Sequence, residues 1–110
     1  MYFKFVKKTE TIPYTAASAL AAGDVVFIGT LACVAHHPVD SGDTAELYFG
    51  GGLVYEVPVT AGTAITQGAA LYWNSTSHVA SATSTGNTAI GKAYTAASST
   101  ATSVLVVLNA

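Results

Sequence analysis

Arginine is absent from this 110-residue chain, and lysine occurs only as Lys4, Lys7, Lys8 and Lys92. Without guanidinium forks there is no bidentate reader of phosphate or guanine, and a formal net charge of −2 gives nucleic acid no electrostatic footprint. Charged residues of both signs amount to 9% of the chain. Charge is what ordinarily keeps free monomers apart, so this scarcity suits a surface that partners cover. No apolar run approaches the ~20 residues of a membrane helix, and the charged, aromatic start Met1-Tyr-Phe-Lys-Phe-Val-Lys-Lys does not read as a signal peptide. The expectation is a chain made in the cytoplasm and used without secretion and without a membrane. The single cysteine, Cys33, cannot close an internal disulfide, and within Leu31-Ala-Cys33-Val-Ala it reads as a small buried hydrophobe.

What is present is hydrophobic and small. Hydrophobic residues reach 51%, a figure inflated by alanine, and Thr, Ser and Gly dominate the remainder. A chain of this length is one domain, able to bury roughly two-thirds of its unfolded surface without disulfides or metal. Short runs rich in β-branched and aromatic residues recur at 25–29, 31–35, 45–49, 53–59, 69–73, 88–94 and 103–108, separated by Gly, Asp-Ser-Gly-Asp or Ser/Thr clusters. This spacing predicts an all-β domain, a compact barrel or sandwich. Val104-Leu-Val-Val-Leu108 is continuously apolar and predicts a strand buried on both faces. Residues 74–87 predict a long hairpin or exposed loop, and Tyr14 to Ala22 an extended or weakly helical stretch. Leu20-Ala-Ala-Gly23-Asp24-Val25 and Ile65-Thr-Gln-Gly68-Ala-Ala-Leu71 share one syntax, a glycine turn followed by a strand, so an internal pseudo-repeat is one reading and a chance echo of β-turns the other.

Chemistry finds little to use. Gly86-Asn-Thr-Ala-Ile-Gly91-Lys92-Ala93 matches a phosphate-loop spacing except at Ala93, where the magnesium-binding hydroxyl is missing, and neither a buried strand before it nor a helix after it is predicted. A turn leading into a strand is expected instead. His36 and His37 are adjacent, so on an extended chain they point to opposite faces and share a metal ion poorly. Asp40-Ser-Gly-Asp43-Thr-Ala-Glu46 lacks the 1,3,5 oxygen pattern of a calcium loop and reads as a turn. Gly50-Gly-Gly52 has no basic neighbour and predicts a bend or bulge where two sheets meet. No catalytic residue, cofactor site or metal site is expected, and no enzyme.

The N-terminus is different. Phe3 and Phe5 alternate with Tyr2, Lys4 and Val6 in an extended pattern, and Pro13 favours an edge strand or strand end. Residues 1–14 are therefore expected to form an arm or edge strand, and residues 15–110 the β-domain. The arm residues Tyr2, Phe3, Lys4, Phe5, Lys7 and Lys8 are candidate contacts to an acidic protein surface, the alternative being an exposed edge strand protected by its lysines. Phe27, Phe49, Tyr72 and Trp73 are candidate core or inter-subunit aromatics, as is Tyr55.

Four phrases carry a resemblance: Ala22-Gly23-Asp24-Val-Val-Phe-Ile-Gly29, Thr66-Gln67-Gly68-Ala-Ala-Leu71-Tyr72-Trp73-Asn74, Gly86-Asn87-Thr88-Ala-Ile90-Gly91-Lys-Ala93 and Val104-Leu-Val-Val-Leu108-Asn109. In this order and spacing the chain resembles the small capsid cement, or head decoration, proteins of tailed phages. The resemblance implies a structural protein on the exterior of the virion that binds the major capsid protein and staples neighbouring capsomers. It also implies association with further copies of itself, a homotrimer being expected, with dimer or monomer left open. The alternative is a receptor- or glycan-binding β-module of a tail or fibre.

Overall fold

The structure is a computed structural model that describes Lys4, Lys7, residues 9–50 and residues 52–110. Nine strands account for its regular structure: β1 (Thr11–Thr15), β2 (Val25–Ile28), β3 (Leu31–Val34), β4 (Thr44–Tyr48), β5 (Val54–Pro58), β6 (Ala70–Asn74), β7 (Val79–Ser81), β8 (Thr88–Ala93) and β9 (Ser103–Leu108). The described residues contain no helix, so the all-β expectation holds. The strands form two antiparallel sheets, one in the order β1-β4-β3-β2 and the other β5-β9-β8-β6-β7. The chain crosses between them through Gly50 and Gly52, the latter at φ +81°, at the bend expected of the glycine run.

β1 contains Pro13 and lies at the edge of its sheet, where a residue without an N–H costs no central ladder bond. β1 runs across residue 14, so the edge strand extends beyond the point at which the sequence suggested the arm would end. Tyr2, Phe3, Phe5 and Lys8, on which the rest of the arm expectation falls, lie outside the described residues. Residues 16–22 are not helical. Leu20 makes an isolated bridge to Val39, because Thr15, Ser18 and the turn at Gly23 leave too little chain for a helix nucleus. β7 is a strand within the stretch read as a long hairpin or loop.

The echoed phrases are a structural repeat. Leu20 exchanges both backbone hydrogen bonds with Val39, and Ile65 does the same with Ala97. After each, a tight turn closes (Asp24 N to Ala21 O and Ala69 N to Thr66 O, both 3.1 Å). The third residue of each turn is a left-handed glycine, Gly23 at φ +91° and Gly68 at φ +84°. Its N–H reaches Ala35 O at 2.7 Å in the first half and Ala93 O at 2.8 Å in the second. Beyond these turns β1, β2, β3 and β4 correspond in pairing order to β5, β6, β8 and β9, with β7 as an insertion between the second and third strands.

The main core lies where the two sheets meet. Ala32 and Val34 of β3 pack with Val59, Ile65, Leu71, Ile90, Val104, Val106 and Leu108, and with Phe27 and Trp73 at the margin. A second cluster, on the other face of the four-stranded sheet, gathers Cys33, Ala35 and Leu47 with Ile12, Val26, Leu31 and Phe49 around them. Cys33 is fully buried, as its apolar context predicted, and burial pushes its thiol pKa up, against a smaller lowering effect of a backbone hydrogen bond from Ile28. β9 is central, between β5 and β8, but Val104, Val106 and Leu108 are buried while Ser103, Leu105 and Val107 are only half-buried. The expected burial on both faces is therefore corrected to one face. The five-stranded sheet curls until a parallel bridge from Val59 to Ala80 brings its two edges together.

Candidate interaction surfaces

Three features of the surface stand out. The first is a cleft of about 580 Å³ between the sheets, walled by Val25 and Val34 on one side and by Tyr55, Val57, Trp73 and Val106 on the other. Its rim is aromatic and polar. The His36 ring stacks on Tyr48 with centroids 3.7 Å apart and planes 8° from parallel, and its Nε2 lies 2.6 Å from Tyr55 Oη. Burial raises the Tyr55 pKa, with a smaller contribution from the neighbouring Tyr48. His36 is thus held by two tyrosines. Among the described residues no three His, Cys, Asp or Glu side chains converge as metal ligands.

The second feature continues from the cleft. A recess of about 570 Å³ shares Gly23, Val25, Pro58 and Trp73 with it and runs past Phe27 to Ser75 and His78. The β6–β7 turn that supplies Ser75 and His78 is fixed by the Asn74 carboxamide, which accepts from Thr76 N at 2.9 Å and Ser77 N at 3.0 Å.

The third is the outer face of the five-stranded sheet. The pairing register places Val54 opposite Val107 and Glu56 opposite Leu105, with Lys92 also opposite Val107. This face carries half-buried Leu105 and Val107 beside the two exposed large hydrophobic side chains among the described residues, Val54 (41% exposed) and Tyr94 (52%). Glu56 and Lys92 are its charges, and the Lys92 ammonium is engaged by the carbonyl of Ala110 at 3.0 Å. Large apolar groups are thus left in water on a nearly uncharged face.

The residues singled out by sequence fall in different places. Phe27 and Trp73 border the main core, Phe49 belongs to the second cluster, and half-buried Tyr72, paired with Ala89, alternates away from Leu71 and Trp73 toward the outer face. Lys4 and Lys7 are exposed, while Tyr2, Phe3, Phe5 and Lys8 lie outside the described residues. The Gly86–Lys92 motif runs into β8 instead of forming a loop ahead of a helix. Ile90 is the extra residue of a bulge, since Leu71 faces Gly91 and Tyr72 faces Ala89. At Gly91 a Cβ would collide with the carbonyl of Val107. The glycine is there for close strand packing, not to hold phosphate.

Sequence reasoning missed one residue that ties the surfaces together. Asn109, at φ +57°, donates from Nδ2 to Ala32 O at 2.8 Å and to Phe49 O, and its Oδ1 accepts from Ala32 N at 3.0 Å. Its own N–H bonds Ile90 O at 2.7 Å, so one side chain locks the end of β9 to the four-stranded sheet. The only sequence signal was an asparagine, tolerant of the left-handed region, directly after a strand.

No curated protein and no solved structure matches the chain. A family model does: residues 6–108 match the one described as phage cement protein. The match runs from just before β1 to the last residue of β9 and takes in both halves of the repeat, so the chain belongs to the phage cement protein family, a structural family of the phage capsid.

Proposed function

We propose that this protein binds the outside of an assembled phage head, contacts the major capsid protein and staples neighbouring capsomers. The family match over residues 6–108 is the observation that carries this reading. Shape and surface support it. The molecule is a slab with extents of 41 × 40 × 23 Å, suited to lying flat on a shell. The outer face around Val54, Tyr94, Leu105 and Val107 is the attachment surface, and its low charge removes the desolvation cost that ionised side chains would add. Tyr2, Phe3, Lys4, Phe5, Lys7 and Lys8 form a second attachment that reaches across a capsomer boundary. Copies assemble as homotrimers. Modest contacts repeated over a lattice give strong retention, so no single copy need bind tightly.

The test is reconstitution on shells made without the protein. Such shells are expected to assemble but to break at lower temperature, and added protein is expected to bind the exterior and restore stability. Substituting Val54→Asp and Tyr94→Asp together should leave the fold intact and abolish retention. Failure of the unmodified protein to bind shells, or binding to glycans instead, would overturn the reading.

A further inference from the structure

The internal repeat leaves one position filled in the second half and open in the first. In the five-stranded sheet the outer edge of β6 is paired by β7, through Tyr72 with Ser81, Trp73 with Ala80 and Asn74 with Val79. The corresponding edge of the other sheet belongs to β2, and among the described residues no strand pairs with it. Ile28 and Leu31 flank a two-residue hairpin loop, and Asp24 O accepts from Ala35 N at 3.0 Å. The alternation of an antiparallel ladder then turns the N–H and C=O groups of Val25 and Phe27 outward. β2 reads Val25-Val-Phe-Ile28, with neither the lysine nor the proline that commonly blunts an edge. Beside it runs the recess lined by Leu20, Phe27, Trp73 and His78.

We infer that the β2 edge is a receptor for an extended strand, and that the strand is the Tyr2–Val6 segment of a second copy of this chain. Adding a strand satisfies the outward backbone groups, and alternate side chains enter the adjoining recess. Tyr2-Phe-Lys-Phe-Val6 has that alternation, with Phe3 and Phe5 on one side. Charge agrees: the recess presents Asp24 and no lysine, while the segment and its continuation carry Lys4, Lys7 and Lys8. Topology favours a second copy over the same one. The segment leads into β1, where Glu10 already accepts from Phe49 N, and β1 and β2 are opposite edges of one sheet, three strand spacings or about 14 Å apart, so reaching its own β2 would need the four residues from Val6 to Glu10 fully extended across the sheet. A link from one edge of a copy to the opposite edge of the next is head-to-tail, closing into a ring or running on as a chain. This inference rests on the proposed attachment of the N-terminal segment and names what grips it: a neighbouring cement copy.

Disulfide trapping with the full chain tests it. One preparation carries Lys4→Cys, a second carries Ser75→Cys at the exposed rim of the recess, and a third carries both. Cys33 is buried and does not compete. The single variants are mixed under mild oxidation, in solution and on shells lacking the protein. The expected result is a disulfide-linked dimer containing one chain of each kind, its yield falling about tenfold when Phe3→Ala and Phe5→Ala are added to the Lys4→Cys chain. An internal disulfide in the double variant without cross-linking between the single variants would place the segment on its own β2 and overturn the inference. So would absence of either product. Cross-linking of Lys4→Cys to shell protein alone would assign the segment to the capsid instead. Shell retention is scored separately: protein that is retained without cross-linking sinks the groove assignment and leaves the cement role standing, and protein that cross-links without retention does the reverse.

Discussion

The side-chain amide of Asn109 stands where a peptide group of another strand would stand, offering one acceptor and one donor to the two outward groups of Ala32. The second hydrogen of the same Nδ2 goes to Phe49 O. An aspartate would keep the acceptor and lose both donors, leaving two part-buried carbonyls unpaired beside a carboxylate. Asn109→Asp is therefore expected to cost about 2–4 kcal/mol, read as a lowered denaturant midpoint at unchanged slope; a midpoint equal to that of the unsubstituted protein would show that the clamp is dispensable. Tyr55 sets a different limit. Its raised pKa means that the folded state holds the phenolic proton more tightly than the unfolded chain, whose value is near 10.0. The associated stability is fully present below about pH 10 and is lost as pH rises through the folded pKa. Melting temperature should decline across that alkaline window, and Tyr55→Phe should flatten the decline.

At the scale of elements, the strands were legible because each is a short β-branched or aromatic run cut off by glycine or a hydroxyl cluster. Val25-Val-Phe-Ile28 before Gly29 is an example. β7 was not, because Val79-Ala-Ser81 holds one β-branched apolar residue and is a strand by virtue of its partner β6. Periodicity also misjudged β9: five apolar residues in a row do not reveal that the outward members are left half-covered. β8 shows how a motif is settled by its element. Gly91→Ala should destabilise by about 3 kcal/mol or more, because a Cβ meets the Val107 carbonyl inside a bulge at φ +154°. Lys92→Ala, which removes a hydrogen bond to an exposed carbonyl, should cost less than about 1 kcal/mol. Equal losses, or magnesium-dependent nucleotide turnover that disappears in Lys92→Ala, would reverse the structural reading of this segment.

For the whole molecule, the repeat was audible in Leu20-Ala-Ala-Gly23 and Ile65-Thr-Gln-Gly68 because a left-handed glycine constrains sequence directly. The cleft was silent, since its walls come from residues as distant as Val25 and Val106 and exist only once two sheets have packed. That division has a consequence for motion. Among the described residues, strand pairing stays within 11–48 or within 54–108 and does not pass between them. Side-chain packing, the Asn109 clamp and the His36–Tyr55 hydrogen bond are what join the halves. Each half can therefore open as a cooperative unit of its own. Native-state hydrogen exchange should resolve two tiers, with amides of β6, β8 and β9 exchanging last and those of β1 and β4 earlier as a group. Asn109→Asp should widen the gap by releasing the first tier alone. A single exchange free energy shared by all strands would mean that the joint between the halves is as strong as the sheets it joins.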